Sequence, residues 1–227
     1  MVAVVSLPVP LVMSIWRIAV VSLRRVKPFE FFLCHHKATA GAFARLLKIC
    51  LRSSPKVQAD VFLDSDNLHN LGDLFDHVGN DTSNLVIIAT QRIYTRPWCV
   101  GEMCTAMVRR VNTVVISMQQ LREAFTESSV HWTLLAERIE QIEILIETGM
   151  TLEIIQETLQ WAEAIPPMHL PSRLTNKVLT ELVNLLVTAK SGQLQSSQEG
   201  IVVEASEVDT SPDQASSAII FDINNSE

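Results

Sequence analysis

Four short runs in this chain are apolar without alternation: Phe29–Leu33 (FEFFL), Asp60–Leu63 (DVFL), Leu85–Ala89 (LVIIA) and Thr113–Ser117 (TVVIS). A strand with one wet face alternates polar and apolar residues, whereas a strand covered on both faces reads as a continuous apolar run. Helical spacing fills the gaps between these runs. Phe43, Leu46, Leu47 and Cys50 share one face over residues 39–51, and Leu71, Leu74, Phe75 and Val78 do so over 70–78. Pro97 suits the first turn of a third helix running to about Arg110, because its missing N–H costs nothing there. Strands that alternate with helices predict an α/β fold built on a parallel, doubly wound sheet of four to five strands.

Beyond Met118 the pattern becomes helical. Residues 134–147 and 152–163 read as two helices split at Gly149, with Gly149 as the stop and Thr151 as the N-cap of the second. Ile165, Met168 and Leu170 offer a last edge strand, which Pro166 and Pro167 limit at its start. Residues 172–190 form an amphipathic final helix with Leu174, Val178, Leu182, Leu185 and Leu186 inward. The expected organisation is an apolar segment over 1–27, a domain over 28–190, and a polar, acidic tail without regular structure over 191–227, apart from a lone candidate strand at Ala218–Ile223.

Residues 2–23 match a bilayer span of roughly 20 residues in length, and Arg24, Arg25 and Lys27 behind them would hold this end on the cytoplasmic side. Pro8, Pro10 and Arg17 interrupt the span. The segment is read either as a membrane anchor of a cytoplasmic domain, also as the stump of a longer membrane protein, or as a helix packed on the domain.

The formal net charge of −7 belongs to the tail. Residues 191–227 hold seven acidic side chains and no Lys or Arg, which leaves 18 acidic and 18 basic groups in residues 1–190. That body is itself uneven: residues 1–60 carry nine basic and two acidic side chains, and residues 123–163 hold nine Glu. No nucleic-acid-binding motif is present, so nucleic acid is not an expected partner. The four cysteines form no CxxC pair, which excludes a zinc ribbon and a dense disulfide framework and suits a reducing compartment. Neither GxGxxG nor GxxxxGK[ST] occurs, so a dinucleotide Rossmann site and a P-loop are not expected.

Ligands of an open parallel sheet bind beyond the carboxyl ends of its strands. The residues that fall there are Cys34, His35, His36 and Lys37 after the first strand, Asp64 to Asn67 after the second, Thr90 to Arg92 and then Trp98, Cys99 and Glu102 after the third, and Met118 and Gln119 after the fourth. Phosphorelay receivers want acidic residues after the first strand and an Asp after the third, and neither is present. Adjacent histidines at a strand end point apart and no third His is in pattern, so no metal ligands are assigned.

Three segments, FFLCHHKATAGAFARLLK, VFLDSDNLHNLGDLFDHV and NLVIIATQRIYTRPWCVGEM, occur in the order and spacing of a Toll/interleukin receptor (TIR) domain. The chain resembles that family over about residues 29–118, with a compatible remainder to about 190. The Trp98-Cys99-x-x-Glu102 element after a buried strand is the most specific piece. The HHK, LDSDNL and RPWCVGE wording looks like the TIR-like domains of large protist, dinoflagellate-type proteins. The chain departs from the family pattern at Cys34, where the family has Ser, at Ala38, Thr39 and Ala40 in the first loop, and in a longer helical region over 119–163.

The resemblance implies a flavodoxin-like sheet with extra C-terminal helices, and one of two activities. The first is a signal-transduction module that associates with other TIR domains. The second is an NAD+ glycohydrolase that releases nicotinamide and in some members cyclises the product, with NAD+ as substrate and no cofactor required. A third alternative is a scaffold that keeps the fold and no activity. In the enzymes a glutamate on the helix after the third strand is essential, and it matches Glu102. Such chemistry asks for a carboxylate beside an oxocarbenium-like ribosyl centre. Without that role Glu102 is an ordinary surface glutamate near a helix N-terminus. Of the remaining matched positions, His36 and Lys37 correspond to pocket residues that meet phosphates, and Asp66, Asn67 and Leu68 to the loop that gates the pocket. Trp98 reads mainly as core and secondarily as a stacking surface for the substrate.

Overall fold

A computed structural model describes residues 27–64, 73–90, 92–118, 139–171, 173–190 and 201–202. Residues 2–23, the loop residues 65–72 and the segment 218–223 lie outside them. Among the described residues no helix is long and apolar enough to cross a membrane.

The strands are β1 (Phe29–His35), β2 (Asp60–Phe62), β3 (Thr82–Ala89), β4 (Asn112–Met118), β5 (Met168–Leu170) and β6 (Ile201–Val202). The helices are α1 (Lys37–Ser53), α2 (Pro97–Arg109), α3 (Glu143–Glu147), α4 (Leu152–Ala164) and α5 (Asn176–Ala189). The sheet order is β2-β1-β3-β4-β5-β6 and every pairing is parallel. The first five strands therefore follow the flavodoxin-like order, whose topological switch point lies between β1 and β3. The fold is α/β and doubly wound, as the apolar runs predict.

Strands β1 to β4 each feed two cores through their alternation. Phe31 and Leu33 of β1, with Val86 and Ile88 of β3, pack under α1 and α5. Phe32 and Cys34, with Leu85 and Ile87, pack under α2 and α4 on the other face. Both layers are needed because a parallel crossover returns a helix over the sheet after each strand. The sheet is completed by polar clasps. Glu30 accepts hydrogen bonds from the Gln58 and Ala59 amides at 2.6 and 3.0 Å and pairs with Lys190 at the end of α5. Asn84 donates to the Glu30 carbonyl at 2.7 Å and accepts from Asn112 at 2.8 Å, binding three strands at their amino ends.

Beyond the helix expected over 134–147, of which only Glu143–Glu147 is helical among the described residues 139–147, two further elements differ from the sequence reading. Where residues 70–78 predict a helix, the described part holds one turn, Leu74–Asp76, that widens into a π turn over His77–Asp81. The wide turn keeps Val78 buried while the His77 ring meets Asp81 Oδ2 at 3.0 Å. Secondly, the acidic tail reads as lacking regular structure, yet Ile201–Val202 add to the sheet beside β5. Met168–Leu170 is thus an inner strand, beginning after Pro166 and Pro167.

Candidate functional site

The site lies at the carboxyl ends of β1 and β3, beside the start of α2. Helix α2 begins with Pro97 at its first position, so its direction is fixed by the proline and by the extended Arg96 before it. Three residues on, Cys99, Glu102 and Met103 lie on the stripe turned towards the sheet, because positions three and four apart share a helix face. On the sheet side, Cys34 points to α2 and His35 to α1, as the pleat requires.

Glu102 is consequently buried, at 4% exposure, and the surface-glutamate reading does not hold. Its Oε2 has no hydrogen-bond partner, and the Cys34 sulfur lies within 4.8 Å of the carboxyl. Burial, with the Asp64 charge adding to it, drives its pKa up to about 8 against the smaller opposing effects of the neighbouring Cys34 thiol and the Lys37 and Arg96 charges. The carboxyl is therefore mostly neutral at pH 7. Both neighbouring thiols are buried. The Cys34 thiol donates to the Cys99 carbonyl at 3.8 Å, and the Cys99 thiol donates to the His35 carbonyl at 3.3 Å. Burial pushes the Cys34 thiol well above the usual range, helped by its two acidic neighbours.

The remaining predicted residues stand around this centre. His36 occupies the N-cap position of α1, where its ring Nδ1 meets Thr39 Oγ1 at 2.9 Å. The Thr39 hydroxyl reaches Thr90 Oγ1 after β3 at 3.2 Å, so the two strand ends are tied by side chains. Burial and the Arg96 and Arg92 charges lower the His36 pKa. Lys37, at the first position of α1, is exposed and pairs with Asp64 Oδ2 at 3.1 Å. Trp98 is half-buried, packs against the core and stacks on Phe75 with centroids 6.0 Å apart. Asp66, Asn67 and Leu68 lie outside the described residues.

The residues beside this centre that the sequence places at the strand ends without giving them a role are Cys34, Cys99 and Asp64. Cys99 enters the sequence reading only as part of the Trp98-Cys99-x-x-Glu102 element, and Cys34 as a departure from a pattern. Asp64 comes next to His35, whose Nε2 is 4.0 Å from Asp64 Oδ1, and that oxygen is buried without a hydrogen-bond partner. The Cys99–Glu102 spacing of three was the available signal, since it places both on one helix face. A separate groove of about 260 Å³ opens at the other end of α2, among Phe75, Gly79, Thr105, Arg109 and Met150.

The class that fold and site define is a doubly wound α/β domain with a closed, acidic and thiol-rich centre at its switch point. No family model matches the chain. No curated protein matches it either. Thirteen solved chains do. One belongs to the TIR domains in the structure of the activated Roq1 resistosome directly recognizing the pathogen effector XopQ. It is 14% identical, covers 69% of this chain and 84% of that one, and superposes with a TM-score of 0.34, a level that carries no argument about function.

Proposed function

We propose that this chain is a TIR-like signalling module that acts by associating with other TIR domains, on the cytoplasmic side of a membrane when residues 2–23 serve as an anchor. One observation carries the reading. The described parts of the three segments bearing the family wording supply β1–α1, β2 and β3–α2 of a 2-1-3-4-5 sheet, and the end of β1 meets Glu102 through Cys34. Association is tested by light scattering on the purified chain, where concentration-dependent growth in mass is the expected result.

A second reading, NAD+ glycohydrolase, is favoured by Glu102 itself. A buried carboxyl with an unpartnered oxygen at the switch point is where a ligand would be held. A neutral carboxylic acid cannot stabilise a ribosyl cation, so the reading needs Glu102 to ionise when substrate enters. The positive nicotinamide ring supplies that bias, since a nearby opposite charge lowers a carboxyl pKa. Nicotinamide release from NAD+ should then be measurable at high protein concentration and fall to background in Glu102→Ala. Turnover that survives in Glu102→Ala would remove Glu102 from the reaction. Association without any turnover would leave a pure assembly or scaffolding domain.

A further inference from the structure

Neither functional reading uses the two thiols beside Glu102. Cys34 and Cys99 come from elements 65 residues apart, yet both sulfurs and a Glu102 carboxylate oxygen lie within 4.8 Å of one another, and all three residues are buried. Donors on a tetrahedral ion with metal–sulfur bonds of about 2.3 Å and metal–oxygen bonds of about 2.0–2.2 Å stand about 3.5–3.8 Å apart. The three donors therefore reach such an ion with side-chain shifts of about 1 Å.

The centre also lacks something that a cation would provide. Glu102 Oε2 is buried with no hydrogen-bond partner, an arrangement that is costly unless a hydrogen-bond donor or a cation meets it. A Cys34–Cys99 disulfide would employ the sulfurs and leave that oxygen unserved, so it accounts for less. The thiols lose little by giving up their present bonds, which are weak sulfur donors to backbone carbonyls. Two thiolates with one carboxylate exclude magnesium and calcium, which want all-oxygen sets, and favour a borderline ion.

The geometry points to a binding site for a divalent cation of the zinc class, ligated by Cys34, Cys99 and Glu102. A fourth position remains for water. Two thiolates and a carboxylate would leave one net negative charge, and Lys37 and Arg96 both act on Glu102 from nearby. An ion there occupies the carboxylate that glycoside hydrolysis needs, so binding and turnover are opposed and can be scored apart.

The test uses the full chain, reduced and stripped with a chelator, and Co2+ as the probe. One equivalent should produce a thiolate-to-cobalt charge-transfer band, and Zn2+ should bleach it. Cys34→Ser and Cys99→Ser should each weaken the band, while Cys50→Ser, remote and half-buried, should leave it unchanged. Glu102→Gln should weaken affinity by at least the roughly tenfold seen for supporting residues of metal sites. Because a buried serine can itself disturb folding, zinc X-ray absorption on the unaltered chain provides the second measurement. Two sulfurs in the first shell support the site. A shell of oxygen and nitrogen alone, or a cobalt band that persists without both Cys34 and Cys99, overturns it.

Discussion

Glu102 is the residue on which stability and function meet. In the unfolded chain it titrates near 4.5, and in the fold burial raises it to about 8. Between those values the unfolded chain sheds a proton that the folded chain keeps. Stability therefore falls as pH rises through that window, by up to about 1.4 kcal/mol per pH unit, and the loss is complete above about pH 8. Glu102→Gln removes the titration, so its denaturation midpoint should gain on the unaltered chain between pH 5 and pH 8. A midpoint difference that is the same at both pH values would mean that Glu102 ionises freely. The sequence made Glu102 visible through the WCxxE spacing, but not its burial. Burial depends on how closely α2 settles on β1, and that is a matter of tertiary packing. Cys34 illustrates the same limit. Read along the chain it is grouped with His35 and His36, while across the sheet its neighbours are Cys99 and Glu102.

At the scale of elements, small residues decide how near the helices approach. Gly101 sits in α2 where an added Cβ would come within 2.4 Å of the Phe75 ring and 3.0 Å of Leu145 Cδ2. Alanine ordinarily gains about 1 kcal/mol over glycine inside a helix. Here Phe75 must swing away and give up its stacking on Trp98, so Gly101→Ala should instead lose about 1 kcal/mol in chemical denaturation. A more stable Gly101→Ala chain would show that Phe75 yields at no cost. The start of α4 depends on Thr151, whose hydroxyl accepts from the Ile154 amide, while Gly149 at φ +87° closes the turn before it. Thr151→Ala should cost about 1 kcal/mol, with thermal unfolding as the check, and Thr151→Ser should restore most of it. These caps were legible in the sequence, as were the four continuous strands, because proline, glycine and apolar runs act locally. The π turn over His77–Asp81 was not. Its width is set by burying Val78 under α2 while joining β3 in register, and no local pattern encodes that requirement.

For the whole molecule, charge is the property that a net total conceals. Along the sequence, the basic excess of residues 1–60 stands apart from the glutamates of 123–163, while the total over residues 1–190 is zero. If copies join head to tail through these surfaces, raising salt should shift the light-scattering mass towards the monomer, since exposed charges are screened beyond about 10 Å at 0.1 M salt. A mass unaffected by salt would rule out charge as the driving force. The all-parallel sheet has a consequence in time as well as in space. No two of the described strands can pair through a hairpin, so each of their ladders closes a long loop, and topologies of this kind fold slowly. Cys34 must wait for Cys99, 65 residues later, before either is sheltered. Until α2 docks, both thiols stand in water and open to oxidants, so the order of chain closure governs the chemistry of the centre as much as its final geometry does.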